Sequence, residues 1–338
     1  MGKQIVTIIT GCGGMDGSIL TEKLLEKGHK IIGIDKWRPE GFYINLENVV
    51  DDPNFILETG DITEKEFMAR MIQSYKPDYF YNLAAVSLVP ESFRIPHRVF
   101  QVNTLAVLDT LELLRAYSPI TRFYQASSSE QIGKNEEDNQ DTDSRMIPNS
   151  PYAITKLASY HLTRLYREAY NMFCVNGLLW NHEGTRRGQT FVTRKISKAV
   201  ANIAKGKISK VSLGNLDAKR DWGCAEDFVD AMILMMETDI PDDYAVATGE
   251  THSIREFVEE AFKHIGMDIV WEGKDLDEVG RDSKTGIIRV DVNSLYYRPA
   301  EVRKLNGDST KINKLLGWTP TTKFKELVKM MVEHDLND

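Results

Sequence analysis

The first half of the chain alternates between short apolar runs and amphipathic stretches. Ile5 to Ile9 is a β-branched run that ends in glycines, which predicts a buried strand. From Ser18 to Lys27, the residues Ile19, Leu20, Leu24 and Leu25 share one helical face, and Gly28 follows as a stop signal. The same reading predicts strands at Lys30 to Ile34, Phe55 to Glu58, Tyr79 to Leu83 and Arg122 to Ala126. It predicts helices at Glu64 to Tyr75, Val102 to Tyr117 and Pro151 to Tyr170, the last opened by its proline. Strand following helix in this way predicts an α/β protein with a Rossmann-type, doubly wound parallel sheet.

Past Asn181 the alternation weakens. Helices are predicted at 190–205, 228–237, 254–265, 310–316 and 324–334, Gly214 to Gly223 reads as a loop, and Tyr244 to Thr248 as a strand returning to the main sheet. The expected division is a cofactor-binding domain at 1–180, with 224–250 returning to it, and a smaller substrate-binding region at 181–223 and 251–338. Trp222 and Trp318 read as core residues. Arg194 and Lys195 read equally well as solvated helix charges or as ligand groups. Asn135 to Asp143 is acidic and polar and reads as a solvated surface loop.

Composition narrows the function. A net charge of −8 over 338 residues argues against nucleic acid or an anionic membrane as the main partner. No apolar run is long enough to span a bilayer, and the N-terminus enters a strand without a signal-peptide pattern, so a soluble, cytoplasmic protein is expected. Cys12, Cys174 and Cys224 are widely spaced, with no metal-binding pattern, and are expected to be free thiols.

Two groups of residues carry chemistry. After the first strand, Gly11, Gly14 and Gly17 are spaced G-x-x-G-x-x-G around Met15 and Asp16. Glycines there let the backbone approach a pyrophosphate seated on the next helix's N-terminus. Asp35 ends the second strand, where a carboxylate binds adenosine ribose hydroxyls and repels a 2′-phosphate. Lys36 and Arg38 argue the other way. Gly60-Asp61-Ile62 has a spacing that suits Asp61, with Ile62 beside it, to the adenine, and it reads nearly as well as an ordinary turn aspartate.

The second group is Ser128, Glu130, Tyr152 and Lys156. Tyr-x-x-x-Lys sets two side chains one helical turn apart. An ammonium beside a phenol favours the phenolate, which makes the tyrosine a base. Ser128 can hydrogen-bond the same substrate hydroxyl. Oxidising an alcohol needs no carboxylate at Glu130, whereas removing a proton beside a new ketone does. The set therefore points to oxidation followed by elimination.

Together with Asn82-Leu83-Ala84-Ala85, these motifs resemble the extended short-chain dehydrogenases/reductases. Within that group the chain resembles the GDP-mannose 4,6-dehydratases, most specifically at 181–188, 191–196, 212–223 and 296–302. The resemblance implies a nicotinamide cofactor reduced and reoxidised within one turnover. By position, Tyr152 takes the C4 hydroxyl proton, Lys156 supports it and holds the nicotinamide ribose, Ser128 (threonine in the family) orients the C4 oxygen, and Glu130 removes the C5 proton. Leu83, Ala84, Ala85, Ser87, His182 and Arg187 fall near the cofactor; Ser87, Asn181, Lys195, Arg220, Arg281 and Glu301 fall to the GDP-sugar. Lys195, Arg220 and Arg281 suit a pyrophosphate.

The chain departs from that pattern in several places. Asp35-Lys36-Trp37-Arg38-Pro39 stands where the family has arginines and serines, which favours NAD over NADP. Val86 and Leu88 replace polar residues beside the sugar, which leaves open a bulkier sugar such as GDP-D-glycero-D-manno-heptose. Cys224 stands where a histidine is usual. A C4 epimerase or dehydrogenase on the same scaffold is a further alternative. The helices at 102–117 and 151–170 correspond to the resembled family's dimer face, so a homodimer or homotetramer is expected.

Overall fold

The computed structural model describes residues 3–36, 44–135, 137–296 and 304–338. In chain order the elements begin with β1 (Val6–Thr10), α1 (Met15–Glu26), β2 (Lys30–Asp35), β3 (Phe55–Thr59), α2 (Lys65–Tyr75), β4 (Tyr79–Asn82), α3 (Val89–Arg94) and α4 (Pro96–Phe100). There follow α5 (Ala106–Tyr117), β5 (Arg122–Ser128), α6 (Pro151–Tyr170), β6 (Cys174–Leu179), β7 (Asn181–Glu183), α7 (Val192–Ala204), β8 (Val211–Leu213), β9 (Lys219–Cys224), α8 (Ala225–Glu237) and β10 (Asp243–Val246). The last are β11 (Thr251–Ser253), α9 (Ile254–Lys263), β12 (Ile269–Glu272), β13 (Val279–Asp282), β14 (Ile288–Val292), β15 (Lys304–Leu305), α10 (Thr310–Leu316) and α11 (Phe324–Asn337).

Seven strands form one parallel sheet in the order β10-β6-β5-β4-β1-β2-β3. Its strands are buried on both faces, and the side chains divide with period two. Ile8, Phe80 and Phe123 pack into the layer of α2, α5 and α6, while Ile9, Tyr81 and Tyr124 pack toward α1 and α8. The strand order reverses between β1 and β4, which opens a crevice at their C-terminal ends.

The C-terminal region has its own core, in which Ile196, Trp222, Phe257, Phe262 and Met331 pack together. Two small sheets flank that core: β11-β9-β15, with β7 also on β9, and β12-β13-β14-β8. The tail does not stay within this region, because Leu305, Ile312 and Trp318 pack into the large sheet's core.

Three local readings are corrected. Lys219–Cys224 is a strand, not a loop. Its polar sequence carries little β propensity, and its pairing comes from the distant β7, β11 and β15. Residues 101–105 form a π-helical turn ahead of α5. Arg194 is not solvated: it is buried, and its guanidinium lies 2.8 Å from Asp335. The three cysteines are buried and unpaired. Among the described residues, no helix is long and apolar enough to cross a membrane, and no group of three or more His, Cys, Asp or Glu is placed to hold a metal.

Candidate active site

The turn between β1 and α1 is built by glycine. Gly11 has φ +73°, and a Cβ there would meet the Ala84 nitrogen at 2.9 Å. A Cβ on Gly17 would lie 2.3 Å from the Gly11 carbonyl oxygen, so the helix start packs against the turn only with glycine present. Gly14 is exposed and caps α1 without a side-chain hydrogen bond, which leaves the helix N-terminus open to an anion. This cradle fits a dinucleotide pyrophosphate. Beside it, Asp35 accepts from the Gly13 N–H at 3.1 Å and the Lys36 N–H at 2.8 Å. Asp61 accepts from the Thr63 hydroxyl at 2.8 Å and pairs with Arg98, while Ile62 is buried.

A cavity of about 680 Å³ opens beside the ends of β4, β5 and β6. Asp16, Leu83, Ala85, Ser87, Ser128, Glu130, Tyr152, Lys156, Asn181, His182, Arg187, Lys195 and Arg220 all line it. Gly11, Gly14, Met15, Gly17, Asp35, Lys36, Asp61, Ile62 and Ala84 do not line it; they lie along the glycine turn and the strand ends beyond. Arg281 is not brought to the cavity. It sits on β13 with its Nε 2.7 Å from Glu272, and its guanidinium also donates to the Gly286 carbonyl at 3.0 Å. Glu301, Trp37, Arg38 and Pro39 lie outside the described residues.

Local rules position the four chemical groups. Ser128 ends β5 and caps the short 3₁₀ turn Ser129–Gln131, its Oγ accepting from the Glu130 N–H at 3.3 Å, which turns Glu130 back toward the cavity. Tyr152 and Lys156 stand on α6, which is started by Pro151 and by Ser150 Oγ accepting from the Ala153 N–H at 3.1 Å. Lys156 Nζ donates to the Ala126 carbonyl at 2.8 Å and lies 5.8 Å from the Tyr152 ring centre.

Burial dominates the proton affinities here. It pushes the Tyr152 phenol up to about 12, opposed by the hydrogen bond from Ser128; Glu130 and Asp16 add to the rise and Arg187 opposes it. The Lys156 ammonium is driven down to about 8 by burial, and Asp16 opposes that fall. Burial thus works against the phenolate that a neighbouring ammonium favours.

One wall of the cavity is formed by Leu88 and by Val89 and Pro90 at the start of α3. Val86 faces the core instead, and both its backbone polar groups bond the Asn103 amide, at 2.9 and 3.1 Å. Lys195 Nζ lies 3.2 Å from the Tyr296 ring centre, and Arg187 lies over Phe191 and 3.0 Å from Glu183. Sequence reading singled out Leu88 and the stretch 296–302 but missed the α3 wall of Val89 and Pro90 and the place of Tyr296 in the cavity. Pro90, placed for the first turn of a short helix, was the one available signal for the former.

A family model for GDP-mannose 4,6 dehydratase matches residues 8–331. The GDP-mannose 4,6 dehydratase of Homo sapiens is 46% identical over 346 residues, covering 99% of this chain and 93% of that protein. Among solved structures, the dTDP-glucose 4,6-dehydratase of Bacillus anthracis in complex with NAD is similar with a TM-score of 0.81 at 20% identity, covering 98% of this chain and 96% of that one. RMD from Pseudomonas aeruginosa complexed with NADPH gives a TM-score of 0.78 at 20% identity, covering 99% and 100%. These two structures share the fold, while the family model and the human relative run nearly end to end along the sequence. On that match, the chain belongs to the GDP-mannose 4,6-dehydratase family.

Proposed function

We propose that this protein converts GDP-D-mannose to GDP-4-keto-6-deoxy-D-mannose with the help of a nicotinamide cofactor. The observation that carries this reading is the presence of Glu130 in the same cavity as Ser128, Tyr152 and Lys156. A tyrosine and a lysine suffice for alcohol oxidation; the buried carboxylate beside them supplies the base that elimination requires.

When bound, a nicotinamide cofactor would supply reversible hydride acceptance, so that the oxidation at C4 and the reduction at C6 balance without an outside oxidant. Gly11, Gly14, Gly17, Met15, Asp16, Asp35, Asp61, Ile62, Leu83 to Ala85, Lys156, His182 and Arg187 would hold that cofactor. Ser128 orients the C4 hydroxyl, and Tyr152 takes its proton. Glu130 removes the C5 proton, which the C4 ketone has made acidic, and assists departure of the C6 hydroxyl as water. Ser87, Asn181, Lys195 and Arg220 face the nucleotide-sugar side, with the two cations suited to its pyrophosphate. Asp35, anionic at the end of β2, supports NAD over NADP. With Val86 turned into the core, the apolar wall is left to Leu88, Val89 and Pro90, and family membership supports the hexose over a heptose.

Assembly belongs to the same proposal. Leu105, Tyr117, Ile154, Leu165 and Tyr170 are exposed on or beside α5 and α6 and form an apolar face suited to a second copy of the chain. Light scattering at micromolar concentration is expected to report at least a dimer.

The reaction is tested by mass spectrometry of GDP-mannose incubated with the protein and NAD, with NADP in parallel. A product lighter by one water is expected, formed more readily with NAD; unchanged sugar under both conditions sinks the proposal. Glu130→Gln is expected to slow product formation by roughly 10²- to 10⁴-fold without lowering the melting temperature.

A further inference from the structure

His182 stands between two hydrogen-bond acceptors. Its Nδ1 lies 2.8 Å from the Trp180 carbonyl oxygen, and its Nε2 lies 2.9 Å from Asp16 Oδ2. A neutral imidazole carries one N–H, so it can donate to only one of them. The geometry therefore calls for one proton more than a neutral ring and a carboxylate together hold. The ring is buried, and it stacks on Phe228 with centroids 4.7 Å apart.

The pair also links distant parts of the chain. Asp16 lies in the first turn of α1, on the glycine turn; His182 lies on β7, which pairs with β9 of the C-terminal region. Both side chains line the cavity that holds Tyr152 and Lys156. Asp16 Oδ1 is buried without a hydrogen-bond partner. A carboxylate left so exposed to desolvation is costly unless its charge is used. The charged groups facing Asp16 are His182 from β7, Arg187 from the loop after it, and Lys156 from α6; those facing His182 are Asp16 and Arg187.

We infer that Asp16 and His182 form an imidazolium–carboxylate positioning pair that latches the glycine turn to β7 and presents a fixed negative charge to Lys156. Neither residue touches the reacting carbons in this scheme. They act through Lys156 and through the placement of the turn. The shifts agree with the geometry: despite burial, Asp16 is held below the usual carboxylate range by His182, and His182 is held above its ordinary value by Asp16. Asp16 is also the charge that opposes loss of the Lys156 proton. The effect on turnover rests on the dehydratase reading; the protonation state of His182 does not.

Two measurements test this. In ¹⁵N spectra of the histidine-labelled full chain, loaded with NAD, His182 is expected to keep both ring protons above the pH at which a free imidazole loses one. A singly protonated ring, titrating near the ordinary 6.5, overturns the pair whatever the enzyme's activity. The pH profile of kcat is then compared for Asp16→Asn and His182→Gln. Removing the carboxylate makes Lys156 lose its proton more easily, so the alkaline limb of D16N is expected to move to lower pH by about one unit or more. H182Q keeps the carboxylate, and its limb is expected to stay in place or move to higher pH. An unmoved limb in D16N, or a fall of equal size in both variants, overturns the inference, since a purely structural role would lower kcat without separating the two profiles. Should D16N fail to fold, the spectra of the unaltered protein decide the matter.

Discussion

The large sheet and the C-terminal region face each other across one cavity and are held together differently. In the sheet, Ile8 and Ile9, Phe80 and Tyr81, Phe123 and Tyr124 bury apolar side chains alternately on the two faces; toward the strand ends Thr10, Asn82 and Gln125 bond in a row at 2.9 Å, and on the edge Asp243 of β10 pairs with Arg167 of α6 at 2.8 Å. The chemical groups emerge where those strands end and at the start of α6. The C-terminal region buries charge inside its framework: Arg194 of α7 pairs at 2.8 Å with Asp335 of α11, and Asp335 also accepts from the Ser197 hydroxyl at 2.6 Å. Asp221 of β9 is buried as well, with Thr248 and Gly249 donating to it at 2.7 to 2.9 Å. Both halves bury polar contacts, but in the sheet they lie toward strand ends and on an edge strand around an apolar middle, whereas in the C-terminal region they tie the framework elements themselves to one another.

The sharpest way to break this contrast is Asp335→Ala. It strands the buried Arg194 guanidinium, so a loss of about 3–5 kcal/mol is expected, read from urea denaturation. If the two regions differ as described, cofactor binding by the sheet survives conditions in which the variant no longer binds GDP-sugar. A variant as stable as the parent would show that α11 is held by its apolar contacts alone.

A smaller effect is expected on the binding side. Arg220→Ala removes a charged group from the cavity wall and should raise KM about 10- to 100-fold, the equivalent of about 1.5–3 kcal/mol. Arg281→Ala, from a side chain engaged with Glu272 outside the cavity, should leave KM much closer to the parent value. Steady-state kinetics on the two variants decides between them, and equal effects would mean that β13 moves to the substrate on binding.

The smallest effect has the opposite sign. Lys156 is a buried cation whose pKa is lowered to about 8 from 10.5, so its charge costs stability at neutral pH. Below about 8 the folded and unfolded forms both hold the proton and the cost is fully present; above that the folded form releases it first, and stability rises with pH. Lys156→Met should therefore abolish turnover yet stabilise the fold at pH 7 by about 1–2 kcal/mol, after allowing for the lost hydrogen bond to the Ala126 carbonyl. The difference from the parent should close as pH rises past 8. A destabilised variant at pH 7 would mean that the hydrogen bond outweighs the desolvation.

The legible parts of the molecule share one property: their signals are local. β1, β2, α2 and α6 are found within a residue or two of where periodicity, glycine stops and Pro151 place them. The spacing of Tyr152 and Lys156 puts both on one face of α6, because four residues make about one helical turn. The apolar positions of the parallel strands had to be buried on both faces, so the order of strand and helix along the chain determined the fold class. What lay beyond the sequence required contacts between segments far apart. β9 is a strand because β7, β11 and β15 offer it partners, and Arg194 is buried because α11 brings Asp335 to it. His182 meets Asp16 across 166 residues of chain. No local pattern encodes such a meeting, since its energy comes from a hydrogen bond and a low-dielectric environment that exist only once the two regions have packed. The sequence by itself determined the sheet, the glycine turn and the candidate groups for the chemistry. Only the tertiary structure decided which charges are buried together, and so how strongly each group holds its proton.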